Sequence, residues 1–298
     1  MNSSYSFPEK VFSNHARPPE KYHELEEIAD TIRRDIIGSL ELAKSGHTGG
    51  PLGISDVMAV LHFGGFMRYD RENQWADDRD RFVLSAGHMA PVLYATLARM
   101  GYIKVEELKT LRKVESRLQG HPGLDMHVPG IETSSGSLGQ GVSIAVGMAM
   151  SDFLIDKNNR KVFSITGDGE LQEGAVWEAA MAAGAHKLKN FCWIVDNNDC
   201  QIDGRVKDIL SVYPIADKFR SFNFDVIEID GHDYGQIHSA FQKFEKNQGD
   251  DNIESKPMCI VAKTYMGEGV SFMKDQYGWH GKPPSTEQAK QALEELNA

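Results

Sequence analysis

Apolar positions along the chain repeat with two periods. Between Lys21 and Lys44 they fall at Leu25, Ile28, Ile32, Ile36 and Leu40. Steps of three and four predict an amphipathic helix, and Ser45-Gly46 ends it. Ile54–Leu61 predicts a short second helix, and Arg81–Ser85 (RFVLS) a short strand running into Gly87-His88. Ser137–Ile155 predicts a helix rich in Gly and Ala. Lys161–Thr166 (KVFSIT) reads as a buried strand ending at Gly167, followed by a helix over Glu173–Lys187 and a strand over Phe191–Val195. Strands are expected at Asp225–Ile229 and Met258–Lys263 with a helix, Tyr234–Lys246, between them, and a last helix at Thr286–Leu296. Strands alternating with helices of this length predict βαβ units. The expected fold is α/β, a doubly wound, mostly parallel sheet with helices on both faces. Residues 1–20, with Ser, Asn and three prolines, read as an irregular arm ahead of a single domain over 21–298. Lys246–Lys256 and the loop Gly267–Pro284 are the linker candidates.

Composition narrows the partners. The 298 residues are 41% apolar and 25% charged, as in an ordinary globular protein, and the chain is long enough to bury about three quarters of its unfolded surface. Lys and Arg number 32 against 43 Asp and Glu, a formal charge of −11, which argues against nucleic acid as a partner. Three scattered cysteines suit neither a disulfide framework nor a CxxC metal site, and fit a reducing compartment. The polar N-terminus has no apolar signal region, and Val142–Met150 falls well short of the roughly 18 apolar residues of a membrane span. The expectation is a soluble, cytoplasmic protein without a membrane partner.

The chemistry concentrates in Gly167–Gly204, GDGELQEGAVWEAAMAAGAHKLKNFCWIVDNNDCQIDG. A strand ends, glycines flank Asp168, a helix follows, a second strand ends, and Asn197-Asn198 sits at its exit. A right-handed βαβ unit makes the strands parallel, so Asp168 and Asn198 emerge at the same carboxyl-terminal edge, where open α/β sheets hold ligands. A carboxylate, an amide oxygen and a backbone carbonyl are hard donors suited to Mg²⁺ or Ca²⁺. Gly167 and Gly169 allow close backbone approach to a phosphate. Either tripeptide alone is more often a plain turn or loop; the joint arrangement is the specific signal.

This arrangement resembles the thiamine-diphosphate signature. SGHTGGPLG (Ser45–Gly53), GHM at His88, GHPG at His121, SSGSLGQG (Ser134–Gly141) and GWHGK at His280 follow in the order seen in transketolases. The chain resembles the amino-terminal, diphosphate-binding half of that family. The resemblance implies thiamine diphosphate and Mg²⁺ as cofactors, with Ca²⁺ or Mn²⁺ as substitutes. Asp168, Asn198 and the carbonyl of Cys200 would hold the metal. Gly169 would offer its N–H to the diphosphate, which His88 and His280 would face, and Gly136 would contact the aminopyrimidine. His47, His121 and His280 would hydrogen-bond to the sugar, and Glu173 would lie at a contact between subunits.

Imidazoles suit proton transfer to and from alkoxides beside a carbonyl. Of the 11 histidines, His15, His23, His62, His186, His232 and His238 lack motif context and are expected on the surface or in packing. Two positions depart from the family pattern. Thr48 follows His47 where many relatives carry proline. Glu268 stands where many short relatives carry lysine, and is expected to weaken affinity for an anionic group nearby.

The resemblance covers one half of a transketolase. The glutamate that activates the cofactor and the arginines that usually grip a sugar phosphate belong to the other half. It therefore implies a separately encoded C-terminal subunit, an α2β2 assembly, and transfer of a two-carbon ketol unit from a ketose, bearing a phosphate or not, to an aldose. Two other readings share the motif: the α-subunit of a 2-oxo acid dehydrogenase or another thiamine-dependent lyase, and a non-catalytic cofactor-binding subunit.

Overall fold

In the computed structural model, residues 3–12, 22–249 and 256–297 are described. Most of the Lys246–Lys256 linker candidate, the arm beyond Phe12 and His15 lie outside them. The helices are α1 (Tyr22–Ala43), α2 (Gly49–Gly53), α3 (Ser55–Phe63), α4 (Ala90–Met100), α5 (Gln140–Met150), α6 (Gly174–Ala185), α7 (Val206–Ile209), α8 (Ile215–Ser221), α9 (Tyr234–Gly249) and α10 (Thr286–Glu295). The strands are β1 (Arg81–Leu84), β2 (Val162–Gly167), β3 (Phe191–Asn197), β4 (Cys200–Gln201), β5 (Gly204–Arg205), β6 (Asp225–Asp230) and β7 (Met258–Lys263).

Five strands form one sheet in the order β1-β2-β3-β7-β6, every pair parallel. Side chains alternate across a strand, so each central strand feeds two cores. Cys192 and Ile194 of β3 join Phe163 and Ile165 of β2 and Ile260 of β7 in a core covered by α1, α3, α4, α9 and α10. Phe191, Trp193 and Val195 face the other way, onto α5, α6 and α8. Both faces are sheltered, as the strand–helix alternation predicts. The helix expected over Ser137–Ile155 begins only at Gln140, with Gly139 as its left-handed cap, and loosens into a π-helical turn at Ser151–Ile155.

Helix α4 had no counterpart in the hydrophobic pattern because every one of its residues is buried. A helix without a polar face shows no amphipathic period. The β4–β5 hairpin, two residues a side, is below the length at which alternation can be read. Residues 3–12 carry neither helix nor strand, yet they are tied down. Phe7 is buried, Arg99 Nη1 donates to the carbonyls of Pro8 (2.7 Å) and Lys10 (2.9 Å), and Ser4 N–H reaches Glu41 (2.9 Å). Arg99 also grips Asp35 with two 2.6 Å bonds, both side chains fully buried. No helix of the described residues is long and apolar enough to cross a membrane.

Candidate functional site

The register of β2, β3 and β7 builds one sheet edge. Gly167 pairs with Asp196, Asp196 with Ala262 and Asn197 with Lys263, so Asp168, Asn198 and Thr264 leave their strands side by side. A cavity of about 330 Å³ opens over this edge. All ten residues singled out from the sequence line it: His47, His88, His121, Gly136, Asp168, Gly169, Glu173, Asn198, Cys200 and His280. They arrive from loops after α1, β1, β2 and β3, from the segment ahead of α5, and from the loop after β7. This is the edge where a parallel sheet presents its ligands.

The floor is acidic. Asp168 is 1% exposed; its Oδ1 accepts from Gly169 N (2.8 Å) and its Oδ2 from Asp199 N (2.6 Å). Asn198 Oδ1 accepts from Cys200 N (2.9 Å), while its amide donates to Asp196 Oδ2 (2.8 Å). Thr264 donates to the other Asp196 oxygen. Burial, reinforced by the Asp196 charge, pushes the Asp168 carboxyl up to about 8, and burial lifts Asp196 to about 6. Asp168 makes no ion pair among the described residues. A buried carboxylate beside like charge is held ionised when a divalent cation supplies the missing positive charge.

The donors present fit that ion. They are one carboxylate, one amide oxygen and the Cys200 carbonyl at the strand tip, all oxygens, as Mg²⁺ prefers. Among the described residues no three His, Cys, Asp or Glu side chains gather as a metal-binding group, so the set would be completed by non-protein oxygens. One expectation meets a different geometry. Gly169 N–H does not face outward but closes onto Asp168 Oδ1, because a carboxylate at the start of a short 3₁₀ turn captures the next free amide. In this arrangement the amide is engaged by Asp168 and is not free for a phosphate.

The walls are imidazole. His47 and His88 rings lie 5.0 Å apart between centroids, His88 and His280 5.0 Å and near-stacked, His47 and His280 5.6 Å and edge-on. Burial lowers the pKa of all four motif histidines, His47 to about 4, with mutual repulsion adding at His47 and His88. At neutral pH each ring therefore carries one donor and one acceptor nitrogen. The Nδ1 atoms of His47 and His280 are buried with no hydrogen-bond partner among the described residues. Such an orphan costs roughly 1–3 kcal/mol unless a ligand or water meets it.

Local sequence explains the placement. His88 rides a 3₁₀ turn, Gly87–Met89, pressed against Gly136. A Cβ on Gly87 would lie 2.6 Å from Gly136 N, and one on Gly136 (φ +141°) 2.8 Å from the His121 ring. Thr48 is fully buried, and its hydroxyl donates to the Lys282 carbonyl at 2.6 Å, clipping the His47 loop to the His280 loop. Glu173, the cap of α6, is exposed at the rim.

Glu268 does not line the cavity. Its carboxylate pairs with Lys274 (3.0 Å) and faces His232 (3.5 Å), so the expected effect on an anionic group in the site has no support from its position. The histidines set aside as structural divide. His62 is buried on the Met58 carbonyl and Phe82, and His238 packs on Tyr22 and Phe66. His232 instead bridges Asp56 (2.7 Å) to the Tyr265 amide (2.9 Å), which holds the loop that presents Met266 to the cavity.

Sequence reasoning passed over Glu170 and Asp196, both buried and both lining the cavity. Glu170 accepts from Ser85 Oγ (2.5 Å), Gly139 N (2.8 Å) and Gly167 N (3.3 Å), joining the ends of β1 and β2 to the start of α5. Its position directly after GDG was the available signal.

Known proteins resemble this chain in sequence and in fold. Residues 25–297 match the family model described as "Transketolase, thiamine diphosphate binding domain". Among curated relatives, the chain is 37% identical over 273 residues to an apulose-4-phosphate transketolase subunit of Phocaeicola vulgatus, covering 92% of this chain and 94% of that one. It is 39% identical to the 6-deoxy-6-sulfo-D-fructose transketolase subunit SqwG of a Clostridium species, covering 93% and 98%. Against human transketolase it is 36% identical over 95% of this chain but only 44% of the other. The solved transketolase of Campylobacter jejuni superposes with a TM-score of 0.82 at 34% identity, covering 92% of this chain and 43% of that chain.

Proposed function

Because the chain belongs to the transketolase family, as its thiamine-diphosphate-binding domain, we propose that it is the cofactor-side subunit of a two-chain transketolase. It would transfer a two-carbon ketol unit from a ketose to an aldose together with a separately encoded partner. The observation that carries this reading is the convergence of all ten candidate residues on one cavity at the tips of β2 and β3. Near-complete coverage of relatives named as single subunits, against under half of one-chain transketolases, supports the division of labour.

When bound, thiamine diphosphate supplies a nucleophilic carbon and an electron sink for the ketol unit. Asp168, Asn198 and the Cys200 carbonyl would hold Mg²⁺, and Gly169 N–H, which now closes onto Asp168 Oδ1, would serve a phosphate oxygen. His88 and His280 would face the diphosphate, and Gly136 would bear on the aminopyrimidine. Neutral His47, His121 and His280 hydrogen-bond to the sugar carbonyl and hydroxyls, donating a proton as oxygen gains charge and accepting it as the carbonyl returns. Glu173, exposed at the rim, would lie where two copies meet. An α2β2 assembly is favoured by the outer face of α5 and α6, where Ile144 and Met181 are 40% and 56% exposed. Three free, buried cysteines accord with work in the cytoplasm.

The test is calorimetry and turnover on the co-purified pair. Thiamine diphosphate should bind in a Mg²⁺-dependent manner, and Asp168→Ala should abolish that uptake while far-UV circular dichroism stays unchanged. A ketose–aldose pair should react where pyruvate does not. Full turnover by this chain alone, or cofactor uptake indifferent to Asp168, refutes the reading.

A further inference from the structure

One arginine near the site has no ionic partner among the described residues. The guanidinium of every other arginine in the described residues sits in an ion pair or on a backbone carbonyl. Arg112 makes no ion pair or side-chain hydrogen bond with the described residues, although it is exposed in a chain that is acidic overall. It is also held in place. Its backbone is left-handed (φ 56°), and its N–H donates to the Leu118 carbonyl at 2.8 Å. Gly120 leaves room for the guanidinium: a Cβ there would lie 2.4 Å from Arg112 Nη1. On its other side Arg112 Cδ comes within 3.6 Å of where a Cβ of Gly46 would stand. Gly46 and Gly120 are the residues immediately before His47 and His121, so the charge is fixed between the two histidine loops.

We propose that Arg112 is the anion-recognising residue this chain contributes to the substrate, taking a phosphate or sulfonate at the far end of the sugar. The inference rests on the ketol-transfer reading and deepens it, since no group for this task was assigned to the chain from its sequence. The distribution of charge supports it. The cavity floor is acidic and the walls are neutral imidazole; Arg112 is not itself a lining residue, but it packs on the glycines that lead directly into His47 and His121. After burial, its charge is the main influence lowering the pKa of His121, and it acts on His47 as well. An anionic sugar is then oriented with its charged end at the guanidinium and its carbonyl among His47, His121 and His280. A guanidinium presents a planar fork of donors that matches two oxygens of a tetrahedral anion. The nearest alternative on the His280 loop, Lys282, has its ammonium 4.6 Å over the Trp279 ring instead.

The reconstituted complex is assayed with glyceraldehyde 3-phosphate, with glyceraldehyde, and with the three-carbon aldose bearing a 3-sulfonate as acceptors. In Arg112→Gln, kcat/KM for the anionic acceptors should fall about ten- to hundred-fold, the scale of a lost charge-assisted hydrogen bond, mostly through KM. That for glyceraldehyde should fall far less, and Arg112→Lys should restore part of the preference. The phosphate and sulfonate arms decide which anion is favoured. In parallel, inorganic phosphate is titrated into the full chain while the His47 and His121 ring signals are followed by NMR; saturable shifts should appear in the wild type and vanish in Arg112→Gln. A complex inactive with every acceptor would refute ketol transfer and leave the phosphate titration to decide Arg112. An unchanged anionic-to-neutral ratio in an active complex, or phosphate shifts equal in wild type and variant, overturns the proposal.

Discussion

Replacing Glu170 by glutamine separates what the buried carboxyl contributes from what its charge costs. The group joins three segments through Ser85, Gly139 and Gly167. Burial outweighs those donors and raises its pKa from 4.5 to about 7. The unfolded chain therefore ionises it more readily than the folded one. Its contribution to stability is complete below the unfolded value and is lost as pH climbs through about 7. The difference, 7 − 4.5 = 2.5 units, corresponds to about 3 kcal/mol, of which linkage spends about 2.5 kcal/mol between about pH 5 and pH 8.5. Glutamine does not titrate and loses none of this. It keeps the acceptor oxygen that Ser85 and Gly139 share but turns its NH₂ toward the Gly167 N–H, at a cost of about 1 kcal/mol. Near pH 5 the variant should match or fall slightly below the wild type; near pH 8.5 it should be the more stable protein. Urea unfolding followed by tryptophan fluorescence at both pH values measures the crossing. If the stability difference moves by less than about 0.5 kcal/mol, the carboxyl is not held neutral by its surroundings and the reasoning fails.

Other perturbations read other parts of the molecule. Arg99→Met strands Asp35 as a buried unpaired charge and frees two carbonyls of residues 3–12, so stability should drop by about 3–5 kcal/mol; urea unfolding checks it, and a loss below about 1 kcal/mol refutes a functional pair. Thr48→Val removes the donor to the Lys282 carbonyl, costing about 1–3 kcal/mol, and should lower kcat by loosening His47 against His280, with thiamine diphosphate affinity changed much less. Because burial lowers the His47 pKa to about 4, a depressed value for a histidine, its contribution to stability is present above its ordinary value of 6.5 and lost as pH falls through about 4. The acid limb it sets on kcat/KM should accordingly lie near pH 4; a limb at its ordinary value would show that His47 is not desolvated.

The sheet was legible because two independent patterns agreed: strand–helix alternation predicted a parallel sheet, and GDG and NN marked two strand ends at one edge. Met258–Lys263 matches its strand residue for residue, since both of its faces are buried and it reads as one apolar run. What hid was of two kinds. Helix α4 carried no periodic signal because it is buried on every side, and α8, at seven residues, is too short for a 3.6-residue period to repeat convincingly. Three carboxylate and hydroxyl partners of the site, Glu170, Asp196 and Ser85, were hidden for a different reason. They act by accepting or donating inside the protein, and a sequence shows a buried acid only as one more acid.

The same limit explains why glycine-flanked histidines were found while Arg112 was missed. A histidine beside glycine in a loop announces a backbone built to bring a ring close to something. An arginine in a polar stretch such as LRKVESR announces nothing, because its neighbours Lys113 and Arg117 look alike in composition and are satisfied locally, by the Leu42 carbonyl and by Glu107. What distinguishes Arg112 is a failure to find a partner, and that is a property of three-dimensional arrangement. The floor and the rim of the cavity then follow one electrostatic rule. Asp168 is a buried carboxyl and Arg112 an exposed cation, and neither has an oppositely charged partner among the described residues. An acidic chain that leaves both uncompensated, one on the cavity floor and the other beside the loops of His47 and His121, is complementary to a ligand set carrying a divalent metal and a negative group.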